Sequence, residues 1–379
     1  MGSGWRMAGL AAIIGLLGSA VAGLALSDAP TGSSLAERLN VGGRPQRAAR
    51  GPEAARASAG IRLLREAAAA CQNTWYHGSQ RVLWRDQGET SASVVEVWHE
   101  PGRMTLVQAV GTASGAPGAA SGAPGAAARP GVADGQGPDG ILAMSGRLLV
   151  LLQSNYLVVY VGHGLVGQRR ALVVEVRRPG SGLAARFWLD AAMRLPLRRE
   201  IFDAGMHVIR DDAFTRLELG DPGPGGLRAA AAAPWPARLD AARLAGLRAD
   251  GWQLPGQLPG SLSLFAAAQT SARSGTVVDL SYSDGLTVVS LFVQRGVLGR
   301  PMAGWRPVTL RGETVYSVSP DERSFAWSAG GFVYTLVADA PLPTVSQLVA
   351  ALPGATRPGF WPRMARGLRR LASWINPLR

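Results

Sequence analysis

Apolar and polar positions alternate along the middle of the chain, between residues 172 and 219. Apolar side chains recur at every second position from 172 to 176 and again from 185 to 189, with turn-forming residues between the two runs. A period of two is typical of strands that bury one face, and short turns between such strands indicate antiparallel pairing. The pattern therefore predicts an antiparallel meander of four strands, with turns at residues 179–182, 191–196 and 205.

Upstream of the meander, the pattern predicts a helix at 59–72, followed by strands at 73–86, 91–100 and 103–110. A second helix is predicted at 141–152, before the strands resume. A sheet with one apolar face must close on itself or be covered, and two short helices cover a long curved sheet incompletely. We therefore expect an antiparallel open (half) β-barrel with covering helices and an apolar hollow.

Downstream, a helical pattern between 235 and 252 leads into strands from 262 to 340. A last helix is predicted at 344–352, with Thr344 as its N-terminal cap. This arrangement predicts a smaller α+β domain, and the fold class of the whole chain is α+β.

Three segments rich in Gly, Ala, Pro or Arg separate these regions. The segment 112–140 contains the repeat SGAPGAA twice, and its composition predicts a disordered loop. The predicted organisation is a signal peptide or membrane anchor at 1–27, a flexible linker at 28–58, the half-barrel domain at 59–220, a linker at 221–236, the small α+β domain at 237–354 and a basic amphipathic helix at 355–379.

The segment from Met7 to Ser27 is apolar, uncharged and preceded by Arg6. Its length of about 19 apolar residues lies between that of a signal peptide and that of a membrane span. We favour an uncleaved anchor, and a signal peptide cleaved after the A-x-A at 20–22 is the alternative. Both place the bulk of the chain outside the cytoplasm, in a periplasmic-type compartment or the cell envelope.

The formal net charge is +13, and every Lys or Arg position is arginine. Such a charge favours contact with anionic surfaces, either nucleic acid or acidic lipid headgroups. Because the chain is predicted to be exported, we expect no nucleic-acid partner and retain the membrane surface.

Two pairs of sequence motifs resemble those of a known protein family. They are ARFWLD at 185–190 with LPLRRE at 195–200, and LSYSDGL at 280–286 with VVSLFV at 288–293. In this combination and order the chain resembles the MucB/RseB family, in an actinobacterial-type version. The resemblance implies a half-barrel similar to lipoprotein carriers of the LolA type, followed by a small C-terminal domain.

The resemblance also implies a function. Family members bind the outer segment of a membrane anti-sigma factor and modulate its proteolysis in envelope-stress signalling, and a lipid or acyl ligand in the half-barrel would relieve the binding. The alternative is a periplasmic-type lipid or lipoprotein carrier, which would not need the second domain. The oligomeric state is left open.

The sequence contains little evidence for a catalytic site. Residues 162–167 match G-x-G-x-x-G, but a strand pattern follows where a dinucleotide site needs a helix, so we interpret them as a glycine-rich hairpin. The histidines, at 77, 99, 163 and 207, lack metal-site spacing. We therefore expect no enzyme, no cofactor and no metal site.

Two sets of contact residues are proposed. Apolar and arginine side chains fall on opposite sides of a helix near the C-terminus, which suits an anionic membrane interface, although docking on its own domain is an equal alternative. The proposed membrane contacts are Trp361, Arg363, Met364, Arg366, Leu368, Arg369, Arg370, Leu371, Trp374 and Ile375. Tyr282, Ser283 and Asp284 are a weaker hypothesis for a protein-partner contact, and a purely structural hairpin turn is the favoured alternative.

Overall fold

The computed structural model describes residues 51–86, 89–101, 104–115, 145–220, 237–272, 275–298, 305–317 and 324–354. The described helices are α1 (Pro52–Asn73), α2 (Gly146–Asn155), α3 (Ala241–Ala249) and α4 (Leu342–Ala351). The first sheet contains β1 (Tyr76–Asp86), β2 (Glu89–Glu100), β3 (Met104–Gly115), β4 (Leu157–Val166), β5 (Arg169–Arg178), β6 (Ser181–Asp190), β7 (Pro196–Phe202) and β8 (Val208–Leu219). The second sheet contains β9 (Ala237–Arg238), β10 (Gln257–Leu258), β11 (Leu262–Ala272), β12 (Gly275–Ser283), β13 (Val288–Arg295), β14 (Arg306–Leu310), β15 (Glu313–Ser317), β16 (Ser324–Ala329) and β17 (Phe332–Ala338).

The first sheet is antiparallel and open. Its strand order is β3-β2-β1-β8-β7-β6-β5-β4, so β3 and β4 form the two edges. The meander predicted from the sequence is β5 to β8, and it pairs with the upstream strands through β1 and β8. The predicted open half-barrel and the α+β class are confirmed, whereas the N-terminal apolar helix and the C-terminal amphipathic helix lie outside the described residues.

Register shifts interrupt the pairing of the first sheet at several points. They occur at Ser79/Gln80 in the β1–β8 pair, at Val94/Val95 in the β2–β3 pair and at Tyr160/Gly162 in the β4–β5 pair. A bulge adds a residue to one strand and increases its local twist and bend. These shifts account for curvature in strands of 10 to 12 residues.

The second sheet carries its own apolar core. Its order is β10-β11-β12-β13-β17-β16-β15-β14, with β9 pairing to β11. One face packs against α3 and α4, and the Trp327 ring stacks on Tyr334 with ring centroids 5.6 Å apart. Trp327 also donates a hydrogen bond from Nε1 to the Pro353 carbonyl at 2.8 Å. A helix pair on one face of an antiparallel sheet is the α+β arrangement that the sequence predicts.

Several element boundaries differ from the prediction, and three of the differences concern a linker, a helix cap and a loop. Helix α1 begins at Pro52, inside the predicted linker, because proline suits the first turn and the following residues are rich in alanine. Helix α4 begins at Leu342 after Pro341, and no side chain caps it, so the prediction that Thr344 caps this helix is wrong. Strand β3 continues to Gly115, so the first residues of the predicted loop at 112–140 belong to a strand; residues 116–140 lie outside the described part.

None of the helices within the described ranges is long and apolar enough to cross a membrane. The predicted N-terminal anchor at 1–27 lies outside those ranges.

Candidate functional site

The interior face of the first sheet is the face against which α1 packs. On strands β4 to β6 this face is apolar. Gly60 lets α1 approach β4 closely, because a Cβ at that position would lie 2.9 Å from the backbone nitrogen of Tyr160. The side chains buried here are Leu63, Leu64, Ala67, Ala68, Val158, Val174, Val176, Ala185, Phe187 and Leu189. This half of the predicted hollow is apolar and is packed against α1.

The other half of the interior face is charged. The register places Arg199 opposite Phe187 and opposite Asp212, so these side chains share the interior face with the apolar half. Arg199 donates to Asp212 Oδ2 from Nε at 2.9 Å and from Nη2 at 2.6 Å. Arg210 donates from Nε to Asp212 Oδ1 at 2.8 Å. The apolar hollow that the sequence predicts is thus interrupted on strands β7 and β8 by these buried charges.

This charged group, which we call the buried ion cluster, is completed from the second sheet. Asp339, just after β17, pairs with Arg210 and lies 3.9 Å from Arg199 Nη2. The side chains of Arg210, Asp212 and Asp339 are 1%, 0% and 4% exposed. With two arginines and two aspartates the cluster is balanced in charge, which is what buried ions require. It fixes Asp339 of the second sheet against β7 and β8 of the first.

Helix α2 is shared by the two sheets. Its first turn is capped by Ser145, whose Oγ accepts a hydrogen bond from the Leu148 amide at 3.3 Å. Leu149 and Leu152 join the apolar core of the first sheet. Leu148 and Leu151 instead pack on the second sheet, against Phe265, Ala266, Ala268 and Val288. We call this contact, with the adjoining β12–β13 turn, the junction.

The β12–β13 turn meets the end of α2 at very short range. Gly285 has φ 101°, and a Cβ there would lie 2.3 Å from the Leu152 backbone nitrogen. The Tyr156 hydroxyl donates to Asp284 Oδ2 at 2.6 Å, and Asn155 Nδ2 donates to the Asp284 carbonyl at 2.9 Å. Burial raises the pKa of Asp284, although hydrogen bonds from Tyr156 and from backbone amides act in the opposite direction. Glycine and aspartate at this turn thus join the two sheets.

These positions bear on the proposed partner contact at Tyr282, Ser283 and Asp284. All three side chains are buried. The Tyr282 hydroxyl donates to the Pro255 carbonyl at 2.7 Å, and Ser283 Oγ donates to the Thr287 carbonyl at 2.7 Å. In this arrangement they are not accessible to another protein. The structure supports the alternative interpretation, a structural turn, and adds that the turn lies at the junction.

The outer face of the first sheet carries the polar residues of the meander motifs. Arg198 donates to Asp211 at 2.8 Å, and Arg186 donates to Glu175 at 2.8 Å. The guanidinium carbon of Arg198 lies 4.9 Å from the centre of the Trp188 ring. The two motifs at 185–190 and 195–200 therefore contribute to three features: the apolar interior through Phe187 and Leu189, the buried ion cluster through Arg199, and this outer face through Arg186 and Arg198.

The glycines and histidines considered as candidate sites in the sequence do not form a common site in the described part of the structure. Gly162 and Gly164 lie in β4 and Gly167 lies in the turn to β5, so the interpretation as a glycine-rich hairpin is confirmed. His77 pairs with Glu218 at 2.9 Å, while the His99 ring stacks on Tyr76. Across the described ranges no group of three or more metal-ligating side chains converges. The membrane contacts proposed between Trp361 and Ile375 lie outside these ranges.

The single cysteine gives a direct test of packing in the first sheet. Cys71, near the end of α1, is buried with Tyr76, Val97, Leu195 and Phe214, and burial raises its thiol pKa. Because a thiol reacts as the thiolate, we expect Ellman's reagent to label the folded protein at pH 8 at least a hundredfold more slowly than the urea-unfolded protein. Complete labelling within minutes without urea would contradict this packing.

Comparisons with known proteins give structural matches only. No family model and no curated protein matches the sequence. The crystal structure of MucB matches with a TM-score of 0.42 at 19% identity, covering 78% of this chain and 97% of that chain. The complex structure of Pseudomonas aeruginosa MucA/MucB matches with a TM-score of 0.38 at 19% identity, covering 79% of this chain and 100% of that chain. An outer membrane lipoprotein-sorting protein domain from Vibrio parahaemolyticus matches with a TM-score of 0.20 at 10% identity, covering 46% of this chain and 95% of that chain.

Proposed function

We propose that this chain is an extracytoplasmic, non-enzymatic regulatory protein that binds the outer segment of a membrane anti-sigma factor and modulates its proteolysis in envelope-stress signalling. The identity of the partner is inferred from the motif resemblance to the MucB/RseB family. The observation that carries the proposal is the second sheet, which is joined to the open first sheet through α2, Asp284 and Asp339. A carrier that only transports a lipid does not need this second unit.

Regulation by a ligand would then be a population shift. A lipid or acyl ligand in the half-barrel weakens binding of the partner only if the ligand binds the released form of this protein more tightly than the complexed form. The apolar side chains that α1 and strands β4 to β6 bury against one another support such a ligand, because acyl chains bind to apolar surface. We further propose that the apolar segment at 1–27 acts as a membrane anchor, with a cleaved signal peptide as the alternative. The predicted amphipathic helix at 355–379 would contact the membrane surface, with docking on its own domain as the alternative.

The binding test uses the exported chain and the purified extracytoplasmic segment of an anti-sigma factor from the same genome. We expect a dissociation constant in the micromolar range or tighter by calorimetry, and slower cleavage of that segment by its regulated protease when this chain is present. A periplasmic segment from an unrelated membrane protein is the control.

The outcome distinguishes the two functions. Binding with protection supports the regulator. Purified protein that carries lipid, detected by mass spectrometry, but does not bind the anti-sigma segment favours the carrier of lipids or lipoproteins. Equal binding to the unrelated control segment contradicts a specific partner.

A further inference from the structure

Within the described residues, four buried polar side chains of the second sheet have no hydrogen-bond partner. One of them, Tyr334, lies in the apolar core of the sheet, and the other three form a row. Asp279, Ser281 and Ser290 are 2%, 1% and 1% exposed. Both carboxyl oxygens of Asp279 and both serine hydroxyls are unpartnered. Ser281 lies directly opposite Ser290, and Asp279 lies two residues before Ser281 on the same strand, so the three side chains share one face. An unpaired buried polar group is costly, so this row needs an explanation.

This polar row lies on the face of the sheet that forms the junction. The register places Ala268 opposite Asp279 and Ala266 opposite Ser281. Both alanines pack against Leu148 and Leu151 of α2. The burial of Asp279 therefore depends on closure of the junction, and separation of α2 from the second sheet would admit water to this carboxyl.

In the described part of the chain, no opposite charge pairs with Asp279 when the junction is closed. Strand β11 has no charged residue, and α2 has one, Arg147. Among the residues that the structure describes, neither Arg147 nor any other group forms a hydrogen bond with Asp279. The other charged or titratable groups around the junction are Asp284, Tyr156, Arg199, Arg210, Asp212 and Asp339, and they are paired with one another.

Burial is the one cause that shifts the pKa of Asp279. It raises the pKa of this carboxyl well above the ordinary value of 3.8. Asp284, at the adjoining turn, has a raised pKa for the same first cause, although the Tyr156 hydroxyl and backbone amides favour its charged form. For both carboxyl groups, burial in the closed junction therefore favours the protonated form over the ionised form.

We propose that the junction closes with a proton on Asp279, so that contact between the two sheets is coupled to pH. The closed form retains this proton, whereas the open form, with Asp279 in water, releases it above a pH of about 4. Closure is therefore favoured in acid, and the ratio of closed to open forms falls by up to tenfold for each pH unit between that value and the raised pKa. The coupling belongs to the junction and is independent of the proposed anti-sigma partner.

The test measures hydrogen exchange of the α2 and β12 amides from pH 5 to pH 8, corrected for intrinsic exchange rates. Protection in the wild type is expected to fall as the pH rises. The variant Asp279→Asn keeps the shape of the side chain without the charge, so we expect most of the pH dependence to disappear, with a remainder from Asp284. The control Asp240→Asn changes an exposed aspartate at the start of α3 and is expected to keep the wild-type slope.

A second variant separates the junction from the second sheet itself. Leu151→Ala weakens the contact of α2, so water reaches Asp279 and both the protection and its pH dependence are expected to decrease. If Asp279→Asn keeps the wild-type slope, or if the wild type shows no slope, the coupling is overturned. If Leu151→Ala lowers protection and leaves the slope intact, the burial of Asp279 does not depend on the junction, and the proposal fails on that ground.

Discussion

Replacing Asp339 with alanine is expected to lower the free energy of unfolding by about 3–5 kcal/mol, the cost of leaving a buried charge without its partner. Asp339 is the contribution of the second sheet to the buried ion cluster, and its loss removes a carboxylate that pairs with Arg210 and lies near Arg199. Arg210 cannot reach water, since its side chain is 1% exposed. Urea unfolding at pH 7, followed by tryptophan fluorescence, measures the change.

A second variant tests whether charge balance is the reason. In Asp339→Ala combined with Arg210→Met, one cation and one anion are removed together, and Arg199 keeps its two hydrogen bonds to Asp212. We expect this double variant to be more stable than Asp339→Ala alone. The control Arg62→Met removes an exposed partner of Glu66 and should cost less than about 1 kcal/mol. A loss below about 1 kcal/mol in Asp339→Ala would mean that the cluster does not hold the sheets together.

The strands of the first sheet are largely predictable from the sequence, because their signals are local. Alternation of apolar positions and turn residues such as Asp190 act within a few positions along the chain. Asp190 Oδ1, for example, accepts hydrogen bonds from the amides of Ala192 and Met193 at 2.9 Å. Local signals of this kind predict that the strands exist and pair in sequence order.

The buried ion cluster is not predictable in that way. Arg210, Asp211 and Asp212 are three consecutive charged residues, a run that is typical of a solvated surface. Strand alternation instead directs Arg210 and Asp212 to the interior, while Asp211 pairs with Arg198 on the outer face. The partner of Arg210 from the second sheet, Asp339, lies 129 residues further along the chain, a separation at which sequence carries no local signal.

The junction, likewise, is only partly predictable from the sequence. The positive φ of Gly285 is predictable, because an Asp-Gly turn between two strands requires it. The close approach of this turn to α2 is not predictable, since the same two residues would form the same turn on an exposed surface. Helix α2 has apolar residues on two sides, and only the folded arrangement shows that one side belongs to each sheet.

Gly285→Ala is expected to disrupt the junction and to lower the free energy of unfolding by about 2–4 kcal/mol, because a positive φ and a steric clash act together. The added Cβ would lie 2.3 Å from the Leu152 nitrogen and 2.4 Å from its Cα, and backbone atoms in a helix cannot move aside as a flexible side chain can. Release of α2 from the second sheet should also make the α2 segment sensitive to limited proteolysis. The matched control is Gly260→Ala, where φ is 81° and no atom lies within 4 Å of the new Cβ. That variant carries the backbone strain alone, which costs about 1–2 kcal/mol. The difference between the two variants measures the contact between the turn and α2, and equal losses would show that the close approach at Gly285 does not contribute to the junction.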